Sequence, residues 1–422
     1  MFIGYRGKQI LFIMDTECLP SSDYDILEFD ISDRTILPSD IIKNYEVWRH
    51  TVIDRSSVRP CEQLRIALVG VYRIQCGIST YAEQLFPRLA AKVSECRIFA
   101  EHTDTAVPDE SGVVRCWRRG EPLTDLVRQI RDFCPDVVYV EHEFGIFPNA
   151  RYWLSFVAQM QEYRLFVKQH SVFYHKDKLV CEACVPEIIV HTEIGRKVLK
   201  EKGVTANVHV ISHGCTPCTE SKRFWNLYHS PHTIVQFGFG FEYKGWETAL
   251  RSIAILKPTF PDVFYTGLFS ESKFNKLLHQ NYYNKLNALI QELGIESNVA
   301  IIRGYQSDQS LEAYLRTNQI AIFPYVMNGE HTVYGATGAT RLAMTQGIPT
   351  IVSDVPQFDD MDGICPRPAN SAELAQEIET FFNSKNVREK QIERQNKFLL
   401  DNSWENVTQQ HLDLFSSGIP AS

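Results

Sequence analysis

Residues 324–354 read PYVMNGEHTVYGATGATRLAMTQGIPTIVSD, a succession of strand, polar turn, helix, glycine turn and strand. Directly before it, Ile320-Ala321-Ile322-Phe323 has no polar residue, as expected of a parallel strand buried on both faces. Small residues open the helix at Tyr334-Gly335-Ala336-Thr337-Gly338-Ala339-Thr340. Gly and Ala let backbone approach backbone, and Thr337 stands where it can cap the first turn. The first N–H groups of a helix lack partners inside it, so this start suits an anion of phosphate size above 337–339. A glycine-softened helix start packed on a neighbour explains the same residues. Gln346-Gly347-Ile348-Pro349 ends the helix, and Thr350-Ile351-Val352-Ser353 is the next buried strand.

The same grammar extends through the rest of the second half. Strands are expected at 233–239, 263–268 and 299–303, with a last short one at 363–365. Helices are expected at 247–256, 276–293, 310–316, 371–383 and 388–400. A terminal helix over 404–415 carries Trp404, Val407, Leu412 and Phe415 for packing. The loop Gly240-Phe241-Glu242-Tyr243-Lys244-Gly245-Trp246 joins the first of these strands to its helix.

Toward the N-terminus the pattern repeats as architecture, not as sequence. Arg65–Gly70 reads as a strand, followed by a loop containing Gly77 and a helix to residue 91. Further strands fall at 96–100, 135–140, 165–168, 187–190 and 208–211, and helices at 123–133, 153–163 and 193–202. Strand–loop–helix crossovers of this kind build a doubly wound parallel sheet. The first loop lacks the G-x-G-x-x-G spacing, so it is no nicotinamide fingerprint. Four strands empty into histidines, His142, His170, His191 and His213. Open α/β sheets bind ligands outside the carboxyl ends of their strands, and four histidines on such rims mark a polar cleft. Residues 1–64 show strands at 9–14 and 25–30 and a helix at 39–50 capped by Ser39, as a sheet extension or a docking arm. The expected division is an extension over 1–64, an α/β domain over 65–219 and another over 220–402. The hinge is placed at 215–222, and residues 403–422 are expected to cross back to the first domain.

Composition narrows the function classes. A chain of 422 residues exceeds one ordinary core, and 44% hydrophobic with 22% charged residues describes a folded globular protein. A net charge of −8 leaves no electrostatic footprint for nucleic acid. Basic runs at Arg115, Arg118 and Arg119, and at Arg196, Lys197, Lys200 and Lys202, read as solvated faces or as weak peripheral contacts with a membrane. No run is long enough to span a bilayer or form a signal-peptide core, so a cytoplasmic location is expected. Eleven cysteines in such a chain read as reduced thiols. Cys181-x-x-Cys184 and Cys215-x-x-Cys218 have zinc-ribbon spacing within each pair. One pair precedes the strand at 187 and the other follows the strand at 208. If those strands are parallel neighbours, the pairs stand roughly 15–20 Å apart, too far to share one metal.

Five motifs in order then carry a resemblance. They are Cys76-Gly77-Ile78-Ser79-Thr80-Tyr81; Glu141-His142-Glu143-Phe144-Gly145-Ile146-Phe147; Ile211-Ser212-His213-Gly214; Phe237-Gly238-Phe239 with Lys244-Gly245; and Gly335-Ala336-Thr337-Gly338-Ala339 with Gly347-Ile348-Pro349. Together they resemble the retaining family-4 glycosyltransferases of the GT-B fold, in particular the bacterial branch with CGIATF-like and HEFGIF-like motifs, over residues 65–415. The resemblance implies two Rossmann-like domains facing a central cleft. A hexose, of mannose or glucose type, would pass from a nucleoside diphosphate sugar on the second domain to a glycan, lipid-linked or small-molecule acceptor on the first. No cofactor or metal is implied. Lys244 would pair with the donor diphosphate, with Thr337, Gly338 and Ala339 giving it N–H groups. Gly77 would let the first-domain loop approach it, since a Cβ would hold that backbone away. His170 falls on the histidine near the transferred sugar, and His142 and Glu143 would line the acceptor side.

The chain also departs from the family. The arginine expected after the glycine of the first strand of the second domain is Phe239, and two expected glutamates fall on Tyr334 and Leu342. Phe239 and Tyr334 would still face the donor. Glu330 and Arg341 are nearby polar candidates, Glu330 as a catalytic carboxylate, and Arg303 is a replacement cation. These departures keep a second class open: a GT-B-shaped binding or partner subunit without chemistry.

Overall fold

In the computed structural model the described residues are 60–103, 110–175, 182, 184–218, 231–271, 276–327 and 329–417, with the backbones of three short strands nearer the N-terminus. The chain divides into two units. The first comprises Met1–Ser212, Val333–Gly335 and Trp404–Ser422; the second comprises His213–Thr332 and Ala336–Ser403. The helix expected at 39–50 and part of the hinge at 215–222 lie outside the described residues.

The three N-terminal strands, β1 (Phe2–Arg6), β2 (Gln9–Met14) and β3 (Asp25–Glu28), form their own antiparallel sheet in the order β2-β1-β3. They do not extend the large sheet of the first unit. That sheet contains β4 (Arg65–Gly70), β5 (Glu95–Glu101), β6 (Val113–Trp117), β7 (Val137–His142) and β8 (Arg164–Gln169). After the two-residue β9 (Val172–Phe173), it is completed by β10 (Glu187–Val190) and β11 (Asn207–Val210). The order is β11-β10-β8-β7-β4-β5-β6, and every pair is parallel.

Alternation along β4 shows how both faces are filled. Ala67 and Val69 join a core with Trp153 and Phe156, whereas Ile66 and Leu68 face Tyr81, Leu85 and the terminal helix. That helix, Trp404–Ser416, buries Trp404, Val407, Leu412 and Phe415 in the first unit. Each such side chain contributes about 1.5–3 kcal/mol on burial. Arg88 pairs with Glu405 at 3.0 Å, and Arg164 donates to the carbonyls at the end of the same helix.

The second unit uses β12 (Thr233–Phe239), β13 (Phe264–Ser270), β14 (Val299–Arg303), β15 (Ile320–Phe323) and β17 (Thr350–Val352). Their order is β14-β13-β12-β15-β17, again wholly parallel. The order reverses between β12 and β15. Two local expectations need correction. Residues 363–365 form a turn, with Ile364 and Cys365 both donating to the Met361 carbonyl at 3.0 Å and Gly363 at φ 68°. Residues 333–334, within the opening stretch, form β16 (Val333–Tyr334), which pairs antiparallel with β9 in the first unit.

Among the described residues no helix is long and apolar enough to cross a membrane. The basic runs are paired in part: Arg119 with Glu101, Arg196 with Glu193, and Lys202 with the buried Glu182. Strands β10 and β11 are parallel neighbours, as the argument about the cysteine pairs requires, although Cys181 lies outside the described residues. Among the described residues no group of three or more His, Cys, Asp or Glu side chains is placed to hold a metal ion.

Candidate functional site

In the second unit the strand order reverses between β12 and β15, and ligands of doubly wound sheets bind at such a reversal, beyond the carboxyl ends. β12 ends at Phe239 and passes through Gly240 into a short turn, Glu242–Lys244, and then a helix, Trp246–Leu256. Two glycines permit this path. A Cβ on Gly240 would lie 1.9 Å from the Phe269 ring; one on Gly245, at φ 71°, would lie 1.6 Å from the Pro324 carbonyl oxygen. The Lys244 turn is thereby seated on the loop that follows β15. Val326 N–H donates to the Tyr243 carbonyl at 2.8 Å. The Gln236 amide donates to the Lys244 carbonyl at 2.9 Å and accepts from the Tyr265 hydroxyl at 2.9 Å.

This scaffold aims the Lys244 ammonium at aromatic faces. Its Nζ stands 3.9 Å from the Tyr325 ring centroid and 4.8 Å from that of Tyr243. Burial pulls the Lys244 pKa below the usual lysine range. Among the described residues Lys244 makes no ion pair. The same tyrosine leads to the helix start: Tyr325 is buried, and its hydroxyl faces Thr337. The helix Gly338–Thr345 begins there with Gly338 exposed and Ala339 half-buried. Thr337 holds the N-cap position in extended conformation, but its side chain makes no capping bond, contrary to the expectation. Its carbonyl is held instead, by Arg341 Nη1 at 3.0 Å and Thr340 Oγ1 at 3.1 Å. Arg341 is buried, pairs with Asp360 and donates to the His213 carbonyl at 3.3 Å. Arg341 therefore braces the helix start.

The other residues singled out on this unit stand apart from Lys244 in role. Arg303, at the end of β14, pairs with Glu271 at 2.5 Å and lies over the Tyr283 ring at 4.6 Å, so its charge is matched. Phe239 is half-buried and packs near Phe241, with ring centroids 6.2 Å apart. Glu330 lies in the turn Gly329–His331. Leu342 packs on the core of this unit.

The first unit has its own reversal, between β4 and β7. Glu141 ends β7 fully buried and is hydrogen-bonded to His170 Nε2, just beyond β8. His170 Nδ1 meets His191 Nε2 at 3.2 Å. His142 points to the other face of the sheet. It is 1% exposed, stacks on Phe147 at 5.6 Å and packs on Trp153 at 4.5 Å. The half-buried Glu143 accepts from Phe144 N–H at 3.1 Å, which shapes the turn after β7. Gly77 opens the helix Gly77–Ala90, is exposed, and would have nothing within 4 Å of an added Cβ. Internal packing of this unit therefore does not demand glycine there. Tyr334 forms part of β16, opposite Val172. Among the residues not chosen from the sequence, Tyr325 and Glu141 matter most. Each becomes visible only once neighbouring strand ends are placed side by side.

Residues 219–398 match the model of the family described as glycosyl transferases group 1. No curated protein sequence matches the chain. Among solved structures, a glycosyltransferase from Rickettsia africae is 14% identical, with a TM-score of 0.65, covering 85% of this chain and 100% of that one. HepE from Anabaena in complex with UDP is 12% identical, with a TM-score of 0.61 and coverage of 84% and 100%. Sucrose-phosphate synthase from Thermosynechococcus elongatus is 16% identical, with a TM-score of 0.62 and coverage of 84% and 98%. The fold is GT-B, and most of the second unit is similar to the glycosyl transferases group 1 family over residues 219–398.

Proposed function

We propose that the protein transfers a hexose from a nucleoside diphosphate sugar to a glycan, lipid-linked or small-molecule acceptor, with retention at the anomeric carbon. The observation that carries this reading is Lys244, a half-buried lysine whose ammonium rests on Tyr325 at 3.9 Å without an ion pair among the described residues. A desolvated cation is costly unless an anion answers it. The group 1 match over the same unit and the UDP held by the similar HepE structure support a nucleoside diphosphate as that anion.

When the bond between the anomeric carbon and the diphosphate oxygen breaks, negative charge grows on the leaving phosphate. Lys244 and the N–H groups of Thr337, Gly338 and Ala339 stabilise that charge. Losing one such donor typically costs about 2.7–4 kcal/mol of barrier. Leaving-group stabilisation in this reading rests on the chain's own donors, and among the described residues no Asp-x-Asp pair follows a strand at its carboxyl end. Phe239 and Tyr334 are kept as donor-side residues, Gly77 as the close backbone approach and Glu330 as a candidate carboxylate. Arg303 would have to leave Glu271 to serve the donor. His170 is assigned to the transferred sugar; Glu143 and the loop anchored by His142 are assigned to the acceptor.

A second reading, a binding or partner subunit without chemistry, is favoured by Phe239, Tyr334 and Leu342, which replace an arginine and two glutamates. Calorimetry with UDP, GDP and ADP, followed by NMR of each matching hexose donor, separates the two. Binding followed by slow donor hydrolysis, with the first product keeping the donor's anomeric configuration, supports the transferase. Absence of binding to all three nucleotides refutes it and leaves the subunit.

A further inference from the structure

The carboxyl rim of the first unit contains a buried carboxyl group that the reaction outlined above does not use. Glu141 is fully buried; its Oε2 is bonded to His170 Nε2, and its Oε1 has no hydrogen-bond partner among the described residues. Gly70 makes room for this carboxylate, since an added Cβ would lie 3.2 Å from the Glu141 Cβ. On the far side of the ring, His170 Nδ1 meets His191 Nε2 at 3.2 Å. Tyr81 covers both imidazoles edge-on, with ring centroids 5.0 and 5.6 Å away, and Trp404 backs Tyr81 at 4.9 Å. His170 is therefore held from three sides, and its side chain is only 9% exposed.

The chemistry of the two nitrogens follows from their partners. A carboxylate accepts hydrogen bonds and cannot donate. Nε2 of His170 must then carry its hydrogen. In the neutral ring Nδ1 is the acceptor, and His191 supplies the Nε2–H that serves it. The arrangement matches the logic by which a buried carboxylate sets the tautomer and orientation of a catalytic imidazole.

We propose that Glu141 is a positioning residue for the transfer reaction: it fixes His170 as the Nε2–H tautomer and so dedicates Nδ1 to accepting a hydrogen bond from a sugar hydroxyl. His191 holds that nitrogen until the hydroxyl displaces it. Glu141 touches no reacting atom in this scheme and acts only through His170. The proposal rests on the assignment of His170 to the transferred sugar. It also extends that assignment, because His170 then recognises a hydroxyl by accepting from it and not by donating to it.

A glutamine at 141 keeps the size of the side chain but offers either an oxygen or an NH₂ to His170, so the lock is lost. The test uses the full chain labelled with ¹⁵N-histidine, with His170 identified among the thirteen histidines by its disappearance in H170Q. At neutral pH, long-range proton–nitrogen spectra are expected to show a single Nε2–H tautomer for His170 in the wild type. H191Q should keep that tautomer, because Glu141 remains, and E141Q should show both. UDP, used as the probe, should bind E141Q with wild-type affinity, because the Lys244 site is untouched. With a nucleotide sugar that the wild type turns over, kcat should fall about 10- to 100-fold, as when a partner behind a functional group is removed. The donor KM should stay constant, and E141D should recover part of the rate. An Nδ1–H tautomer in the wild type, its appearance in H191Q, or an unchanged single tautomer in E141Q would overturn the proposal. The wild-type and H191Q spectra decide the matter even where E141Q fails to fold. They need no turnover, so a failed donor panel would refute the transferase reading separately.

Discussion

Replacing Lys244 by alanine should weaken diphosphate recognition markedly while leaving the fold nearly intact, and both halves of that expectation can be estimated. In the free protein the ammonium is held chiefly by Tyr325 at 3.9 Å and Tyr243 at 4.8 Å. Such cation–π contacts are worth about 0.5–2 kcal/mol. Against that stands the desolvation that lowers its pKa, which alanine removes. The two effects oppose each other, so the midpoint of thermal unfolding should move by less than about 4 °C. Binding is different, because nothing offsets the loss. A hydrogen bond to a charged group contributes about 1.5–3 kcal/mol, which is about a 10- to 150-fold weaker Kd. Titration calorimetry with UDP, GDP and ADP measures this directly, and K244M controls for lost packing between the tyrosines. The pH dependence supplies a further check. Burial lowers the Lys244 pKa from its ordinary 10.5, so the folded protein loses this charge at a lower pH than a free lysine does. Affinity should therefore decline on the alkaline side before pH 10.5. Between the lowered value and 10.5 the unfolded chain binds more protons, so the stability contributed by this group rises with pH. K244A should lack both effects. Wild-type affinity in K244A for whichever nucleotide binds would refute the assignment.

Two other expectations follow from single residues. Gly245→Ala forces an L-residue to φ 71° and sets its Cβ 1.6 Å from the Pro324 oxygen. The dihedral alone costs about 1–2 kcal/mol, so a lowered urea midpoint with weakened nucleotide binding is expected, and an unchanged midpoint would contradict the packing described. His411 is buried on the terminal helix, with Nδ1–H donating to the Val407 carbonyl at 2.7 Å and Nε2 3.3 Å from the Tyr139 hydroxyl. Burial, then Lys168, lowers its pKa from 6.5 to about 3. The unfolded chain takes up this proton below 6.5 and the fold does not until about 3, so stability falls as pH drops through that window. The full span corresponds to at most about 5 kcal/mol. Urea melts of the wild type and H411Q at descending pH should therefore converge, and parallel curves would count against a neutral buried His411.

Most of the two sheets could be read from the sequence because parallel strands covered on both faces leave contiguous apolar runs, such as Ile320–Phe323 and Val137–Val140. β6 escaped because its residues Arg115, Cys116 and Trp117 look like part of a basic run; it is an edge strand, mostly half-buried. The two-residue strands β9 and β16 are too short to show any period. The Lys244 turn and the helix start at Gly338 were legible because glycines mark them. Tyr325 and Glu141 carry no such mark. Their importance comes from which strand ends lie side by side, and local pattern does not encode that.

The substituted positions bear on whether this is an enzyme. Tyr334 stands in a ladder opposite Val172 with its side chain packed against the first core, and Leu342 packs on the second core. Of the three cations singled out on the second unit, Arg303 and Arg341 are already paired, and only Lys244 makes no ion pair among the described residues. A methionine would fill the space between Tyr243 and Tyr325 without a desolvation cost. An ammonium there has only the two rings to offset its desolvation until an anion arrives, yet this holds equally for a catalyst and for a subunit that merely binds. The first unit offers a way to tell the two apart. A buried carboxylate and imidazole are also expensive to fold, and an apolar pair would join the ends of β7 and β8 at lower cost. A fixed tautomer would let His170 recognise a hydroxyl, which serves a binding subunit as well; what separates the two is the fall in kcat at constant donor KM expected of E141Q. The Glu141–His170 pair therefore tests for catalysis more directly than any residue of the second unit.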